Sequence, residues 1–178
     1  MKEGIELPKQ TIDALLNRAS MFIVPISEGT NEHVEDFKLY GDDSKIIECH
    51  SKLQRGDNFF VQEEFAMDIV NYIHYLADYD NEYDRNQMDY HYGIIEASKM
   101  TEKQSRYKGI IVDVDVKRVQ EIYGNYKAIL MNTSDELGYI ESQFKKWFNT
   151  QFKVKYEDNP CVFLYIVKEE KMKEGTNE

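Results

Sequence analysis

Glu63 and Glu64 are adjacent carboxylates at the end of a short apolar run, Asn58-Phe59-Phe60-Val61-Gln62, which follows the turn pair Gly56-Asp57. A carboxylate there can rim a ligand pocket and shuttle a proton. It can equally hold a backbone group or the guanidinium of Arg106. Neighbours on a strand point to opposite faces, so at most one of the two faces a cleft. Lys99 and Arg106 could contact a phosphate or simply form surface ion pairs, which contribute only about 0–1 kcal/mol and need no functional reason. Asp78, Asp80, Glu82 and Asp89 have calcium-loop spacing, but Tyr83 stands at the sixth position, where such a loop needs glycine. The same region is crowded with Tyr72, Tyr75, Tyr79, Tyr83, Tyr90 and Tyr92. Acid with tyrosine suits a basic protein partner, with Tyr79, Asp80, Glu82 and Tyr83 as its contacts. His33, His50, His74 and His91 show no metal-ligand spacing, and Cys49-His50, read on a strand, would point apart. No metal, cofactor or catalytic set is expected.

The elements that must position these residues follow from periodicity. Residues 8–18 read as a helix, with Pro8 in its first turn and Ile12, Leu15 and Leu16 on one face. Residues 21–26 form a continuous apolar run of strand length, and 27–35 a polar loop. Residues 45–53 read as a strand, 58–65 as the central strand and 68–77 as a short helix with Ile69, Ile73 and Leu76 in phase. Residues 78–84 read as an acidic loop, 90–97 as a returning strand and 101–106 as a polar turn or short helix. The strand at 110–119 has Val112, Val114 and Val116 on one face and Asp113, Asp115 and Lys117 on the other. Residues 134–148 form a helix whose start fits a capping box of Thr133 with Glu136, and 161–167 form a buried strand after Asn159-Pro160. The sum is α+β, with a sheet curled into a small barrel, flanking helices and a helical, acidic insertion.

A chain of 178 residues, 42% of them hydrophobic, supports one domain over 1–170 with a charged tail at 171–178. The formal charge of −11 disfavours nonspecific binding to duplex nucleic acid but leaves a local groove or a neutral base pocket open. Cys49 and Cys161 form no spacing motif, which suits a reducing cytoplasm. No apolar run is long enough for a membrane span, and the opening residues have no leader-like apolar segment.

In this order the elements resemble the ASCH domain family of PUA-like barrels, above all its phage-type members. Ala14-Leu15-Leu16-Asn17-Arg18 looks like the family's opening helix before its Gly-x-Lys-x-x-Thr-x-Arg signature. Gly56-Asp57 through Val61-Gln62-Glu63-Glu64-Phe65 looks like its Gly-Asp…Val-Arg-Glu-Thr-Phe/Trp strand. Ser98-Lys99-Met100 with Arg106, Val116-Lys117-Arg118-Val119-Gln120-Glu121-Ile122, and Phe144…Trp147 with Asn159-Pro160…Val162…Tyr165-Ile166 resemble the later segments. The resemblance spans about 5–168.

It implies a phage or prophage protein that binds RNA or modified nucleosides beside the barrel. One branch hydrolyses the acetyl amide of acetylcytidine with a signature Lys and Thr and a Glu on a late helix. Here Ala19 and Phe22 stand at the signature's Lys and Thr, Met131 stands at the Glu, and Gln62 and Glu64 replace Arg and Thr on the central strand. Neither Ala19 nor Met131 can transfer a proton. The expectation is therefore a non-catalytic binder of a nucleoside or of single-stranded RNA or DNA, in a cleft including Gln62, Glu63, Phe65, Lys99 and Arg106. The alternatives are an acidic protein-binding module, such as a phage inhibitor of a host nucleic-acid enzyme, and a degenerate amidohydrolase.

Overall fold

The computed structural model describes residues 3–26, 43–79, 81–133 and 137–170. The chain is mixed α+β. Strand β1 (Glu3–Glu6) leads through Pro8 into helix α1 (Lys9–Leu16), then β2 (Met21–Pro25). Helix α2 (Asp43–His50) precedes β3 (Asn58–Gln62), β4 (Phe65–Met67) and β5 (Ile73–Tyr75). Helix α3 (Glu82–Tyr92) is followed by the long β6 (Lys108–Arg118), α4 (Gly124–Met131), α5 (Leu137–Gln151) and β7 (Cys161–Glu169). Among the described residues no helix is long and apolar enough to cross a membrane.

Among the described residues the main sheet has five strands in the order β1-β3-β6-β7-β2, with β1 parallel to β3 and the other pairs antiparallel. Strands lie about 4.8 Å apart, so in a flat sheet the edges β1 and β2 would stand about 19 Å from each other. Yet Ile5 of β1 and Val24 and Pro25 of β2 border one cavity of about 220 Å³ with Phe163 and Tyr165 of β7. The sheet is strongly curled, and among the described residues it is open: β1 and β2 are edges, not hydrogen-bonded neighbours. The α+β class expected from the element order holds, while the described strands of the expected small barrel do not close.

The inside of the curl holds Phe22, Phe59, Tyr107, Val114, Val116 and Tyr165, covered by Ile12 and Leu15 of α1 and Ile46 of α2. Phe22 stacks on Tyr165 with ring centroids 4.8 Å apart and tilts against Phe59 at 5.6 Å. The outside of β2 and β7 buries Met21, Ile23, Val162 and Leu164 under Leu130 of α4 and Phe144 and Phe148 of α5. Both faces of β2 are covered, which explains its unbroken apolar run.

Several expectations are corrected. Residues 43–50 form a helix rather than a strand. Ile46-Ile47 interrupts any alternation, Asp43 lies in the first turn, and Gln54 Nε2 caps the far end by donating to the Ile47 carbonyl at 2.8 Å. Residues 68–75 are not helical, and only the short 3-10 turn Leu76–Asp78 remains of the expected helix. Asp68 Oδ1 accepts from the amides of Val70 (3.0 Å) and Tyr72 (2.9 Å), and Asn71 takes φ +62°, so the chain turns back as the β4–β5 hairpin. The acidic loop is shorter than expected, because Asn81 caps a helix by accepting from the Asp84 amide at 2.8 Å. That helix runs to Tyr92 and ends at Gly93, φ +73°, so 90–97 is no strand and only Ile95 bridges to Phe65.

In β6 a bulge between Ile111 and Asp113 resets the alternation. Ile111 joins Val114 and Val116 inside, and Val112 is 44% exposed. Pro8 caps α1 rather than occupying its first turn, its carbonyl accepting from Thr11 and Ile12. The loop at 27–35 and Glu136 of the expected capping box lie outside the described residues; α5 begins at Leu137.

Candidate functional site

Parallel pairing of β1 with β3 sets Glu6 opposite Gln62. Past that pair both chains leave the sheet, and their departure opens a cleft of about 560 Å³. Its walls are Glu6, Leu7, Lys9 and Ile12 on one side, Gln62 to Glu64 at the base, and Leu76, Arg85 and residues 96–98 on the other. The size is that of a small-molecule site, about 300–1,000 Å³.

Four carboxylates line it, Glu6, Glu63, Glu64 and Glu96, against the cations Lys9 and Arg85. Arg85 Nη2 donates to Glu64 Oε2 at 2.7 Å. Gln62 Nε2 donates to the carbonyls of Met100 (3.2 Å) and Ser98 (3.5 Å), so its amide hydrogens are engaged. The lining is rich in acceptors and suits a ligand that presents N–H groups rather than phosphate oxygens.

Beneath the base is a hydrogen-bonded polar cluster. Glu63 is 4% exposed. Arg106 meets it with two parallel bonds, Nε to Oε1 at 2.9 Å and Nη2 to Oε2 at 2.8 Å, and Nη1 donates to Asp78 Oδ1 at 2.6 Å. The guanidinium also lies 4.5 Å from the centre of the Tyr75 ring, and the Tyr75 hydroxyl donates to the Gln104 carbonyl at 2.7 Å. Burial pushes the Glu63 carboxyl above its ordinary value, and Arg106 offsets only part of that rise. Burial works against the charge on Arg106, but Glu63 and Asp78 outweigh it and raise its pKa.

Of the residues expected at a cleft, Gln62 and Glu63 line it and Arg106 sits behind Glu63. Phe65 does not: it is 1% exposed and its backbone bonds to Ile95. Lys99 is exposed next to Ser98 but is not part of the lining. Among the partner candidates, Glu82 and Tyr83 are exposed, whereas Tyr79 is half-buried with its hydroxyl 3.1 Å from His74 Nδ1. Asp80 lies outside the described residues. Glu6, Lys9, Arg85 and Glu96 escaped sequence reasoning because distant segments bring them together. The one local signal is Gly4: a Cβ there would meet the Gln62 side-chain amide at 2.4–2.7 Å. Gly4→Ala is expected to swing Gln62 off Met100, with a loss of about 1 kcal/mol of stability, measurable as a small Tm decrease.

A second recess of about 420 Å³ lies where α1 and α4 end, lined by residues 17–20 with Ala128, Ile129, Asn132 and Thr133. Arg18 and Asn132, both at positive φ, turn the chain there. Among the described residues of its lining, Arg18 alone is charged.

Elsewhere Lys127, 3% exposed, donates to Glu141 Oε2 at 2.5 Å, and the Tyr156 hydroxyl donates to Glu141 Oε1. Burial raises the Glu141 carboxyl, but Lys127 and Tyr156 outweigh it and leave the pKa below the ordinary 4.5. A depressed carboxylate stabilises the fold above its unfolded value and loses that contribution as pH falls. Acid titration of Tm is therefore expected to be shallower below pH 4.5 in Glu141→Gln than in the parent.

No protein-family model, curated protein or solved structure matches this chain.

Proposed function

We propose that this chain is a non-catalytic, PUA-like binding protein of the ASCH type, whose cleft at the end of β3 takes a nucleoside or an unpaired base of single-stranded RNA or DNA. The observation that carries the proposal is the acceptor-rich lining by Glu6, Glu64, Glu96 and the Gln62 carbonyl oxygen, set above a carboxylate already engaged by Arg106. Carboxylates accept from exocyclic amino groups of bases, as in the pairing of Glu with cytosine N4. Leu7, Ile12 and Leu76 supply apolar contacts for a ring. The excess of carboxylates over cations favours a ligand whose phosphates, if any, stay outside the cleft.

Two features support the family and the absence of catalysis. The strong curl of the sheet suits a PUA-like barrel left open at one seam. Ala19, aligned with the family's Lys, lines the same recess as Ala128 and Ile129, next to Met131 aligned with its Glu. Spatial agreement between those two segments favours the alignment, and the alignment leaves no proton-transfer pair.

The test is calorimetric titration with cytidine, adenosine, uridine and acetylcytidine. Cytidine or adenosine is expected to bind saturably with weak salt dependence, and Glu96→Gln to weaken it about tenfold, equivalent to about 1.4 kcal/mol. Equal affinity for uridine, or steep salt dependence, would count against base reading by the carboxylates. Hydrolysis of acetylcytidine would contradict the non-catalytic assignment.

A further inference from the structure

The β4–β5 hairpin presents Ile69 at 96% exposure and Val70 at 75%, and neither residue lines the cleft. Two aliphatic side chains so fully hydrated gain nothing from burial within this chain. Their turn is nonetheless fixed by the Asp68 side chain, by the Asp68 amide donating to the Tyr72 carbonyl at 3.1 Å, and by Asn71 at positive φ. Beside it runs a row of rings. Tyr72 meets His74 edge-on at 5.0 Å, His74 stacks on Tyr92 at 5.5 Å and 5°, and His91 continues from Tyr92 to Tyr90 at 6.0 and 5.2 Å. The ends of the row are open to solvent, Tyr72 at 64% and Tyr90 at 84%. Asp68 lies in the hairpin turn and Glu82, Asp84 and Asp89 lie on the helix that carries Tyr90 and Tyr92, whose cation Arg85 is tied to Glu64.

We propose that this face docks a basic, partly apolar segment of another protein. Ile69 and Val70 enter an apolar recess of that partner, and the tyrosine rings receive its Arg or Lys side chains beside the carboxylates. Preorganised aliphatic and tyrosine anchors lose little entropy on binding. Cations are attracted to tyrosine faces by about 0.5–2 kcal/mol each, and the acidic surroundings steer them there. The same acids repel a phosphate backbone. A two-fold contact with a second copy would set this acidic face against itself.

The probe is a synthetic amphipathic peptide with arginine on one face and leucine on the other, compared by fluorescence anisotropy with a version carrying glutamate for arginine and with oligo(dT). The arginine peptide is expected to bind saturably. The double variant I69S/V70S and, separately, Tyr90→Ala are each expected to weaken it about tenfold, about 1.4 kcal/mol, with Tm unchanged because the side chains are exposed. Absence of arginine-peptide binding, equal binding of the glutamate peptide or oligo(dT), or indifference to both variants would overturn the proposal. A concentration-dependent dimer dispersed by I69S/V70S would also overturn it, assigning the face to a second copy.

Discussion

Arg106→Ala is expected to lower stability by about 3–5 kcal/mol, because it leaves a buried carboxylate without its cation. The Glu63 side chain is 3% exposed and spends both oxygens on Arg106, so water cannot readily replace the guanidinium. At this chain length each kcal/mol moves Tm by about 2–4 °C, so a drop of about 6–20 °C is expected in calorimetry. The loss has a pH signature. Removing Arg106 takes away the group that holds the Glu63 pKa down, leaving burial to raise it further. A carboxyl whose folded pKa exceeds its unfolded one keeps its stabilising contribution below the unfolded value and loses it as pH rises through the folded value. The variant should therefore recover stability on mild acidification, between the ordinary carboxylate value and the raised Glu63 value. Glu63→Leu combined with Arg106→Met should be milder than Arg106→Ala, since it removes both charges. A Tm for Arg106→Ala within 2 °C of the parent would show that Glu63 is not held as described.

Phe59→Ala is expected to lose about 3–5 kcal/mol, the usual range for a phenylalanine removed from a packed interior. Phe59 is fully buried and its ring contacts Phe22 and Tyr107, with centroids 5.6 and 6.0 Å away. The same ring lies over Gly109 of β6, where a Cβ would meet Phe59 at 2.8 Å and the Lys168 carbonyl oxygen at 3.2 Å. Gly109→Ala alone should destabilise by about 1–3 kcal/mol through overpacking. Because the two sites touch, their effects should not add: Phe59→Leu frees space above Gly109, and the double variant should be more stable than the sum of the singles allows. Additive Tm changes would show that the ring does not cover Gly109.

The strands that form the inner wall could be read from residue patterns because their inward sides carry large apolar groups: Phe22, Phe59, Tyr165. What could not be read depends on single polar atoms or on pairings across the chain. Asp68 turns an apparent helix into a hairpin through two side-chain hydrogen bonds, and a bulge after Ile111 sends Val112 outward although its neighbours alternate. The pairing of Glu63 with Arg106 could be anticipated from charge type, yet Phe65 and Lys99 do not join it: the Ile95 bridge accompanies a buried Phe65, and Lys99 sits exposed in a 3-10 turn outside the lining. The cleft itself was hidden in the parallel register of β1 with β3, which brings Glu6 to Gln62 across more than fifty residues.

The most direct test of the proposed function is amide chemical-shift mapping of the labelled protein during titration with cytidine. Concentrated shifts at Leu7, Gln62, Glu63, Glu64 and residues 96–98, saturating and abolished by Glu96→Gln, are the predicted result. Shifts centred instead on residues 17–20 and 128–133, or none at any site, would contradict a nucleoside cleft at the end of β3.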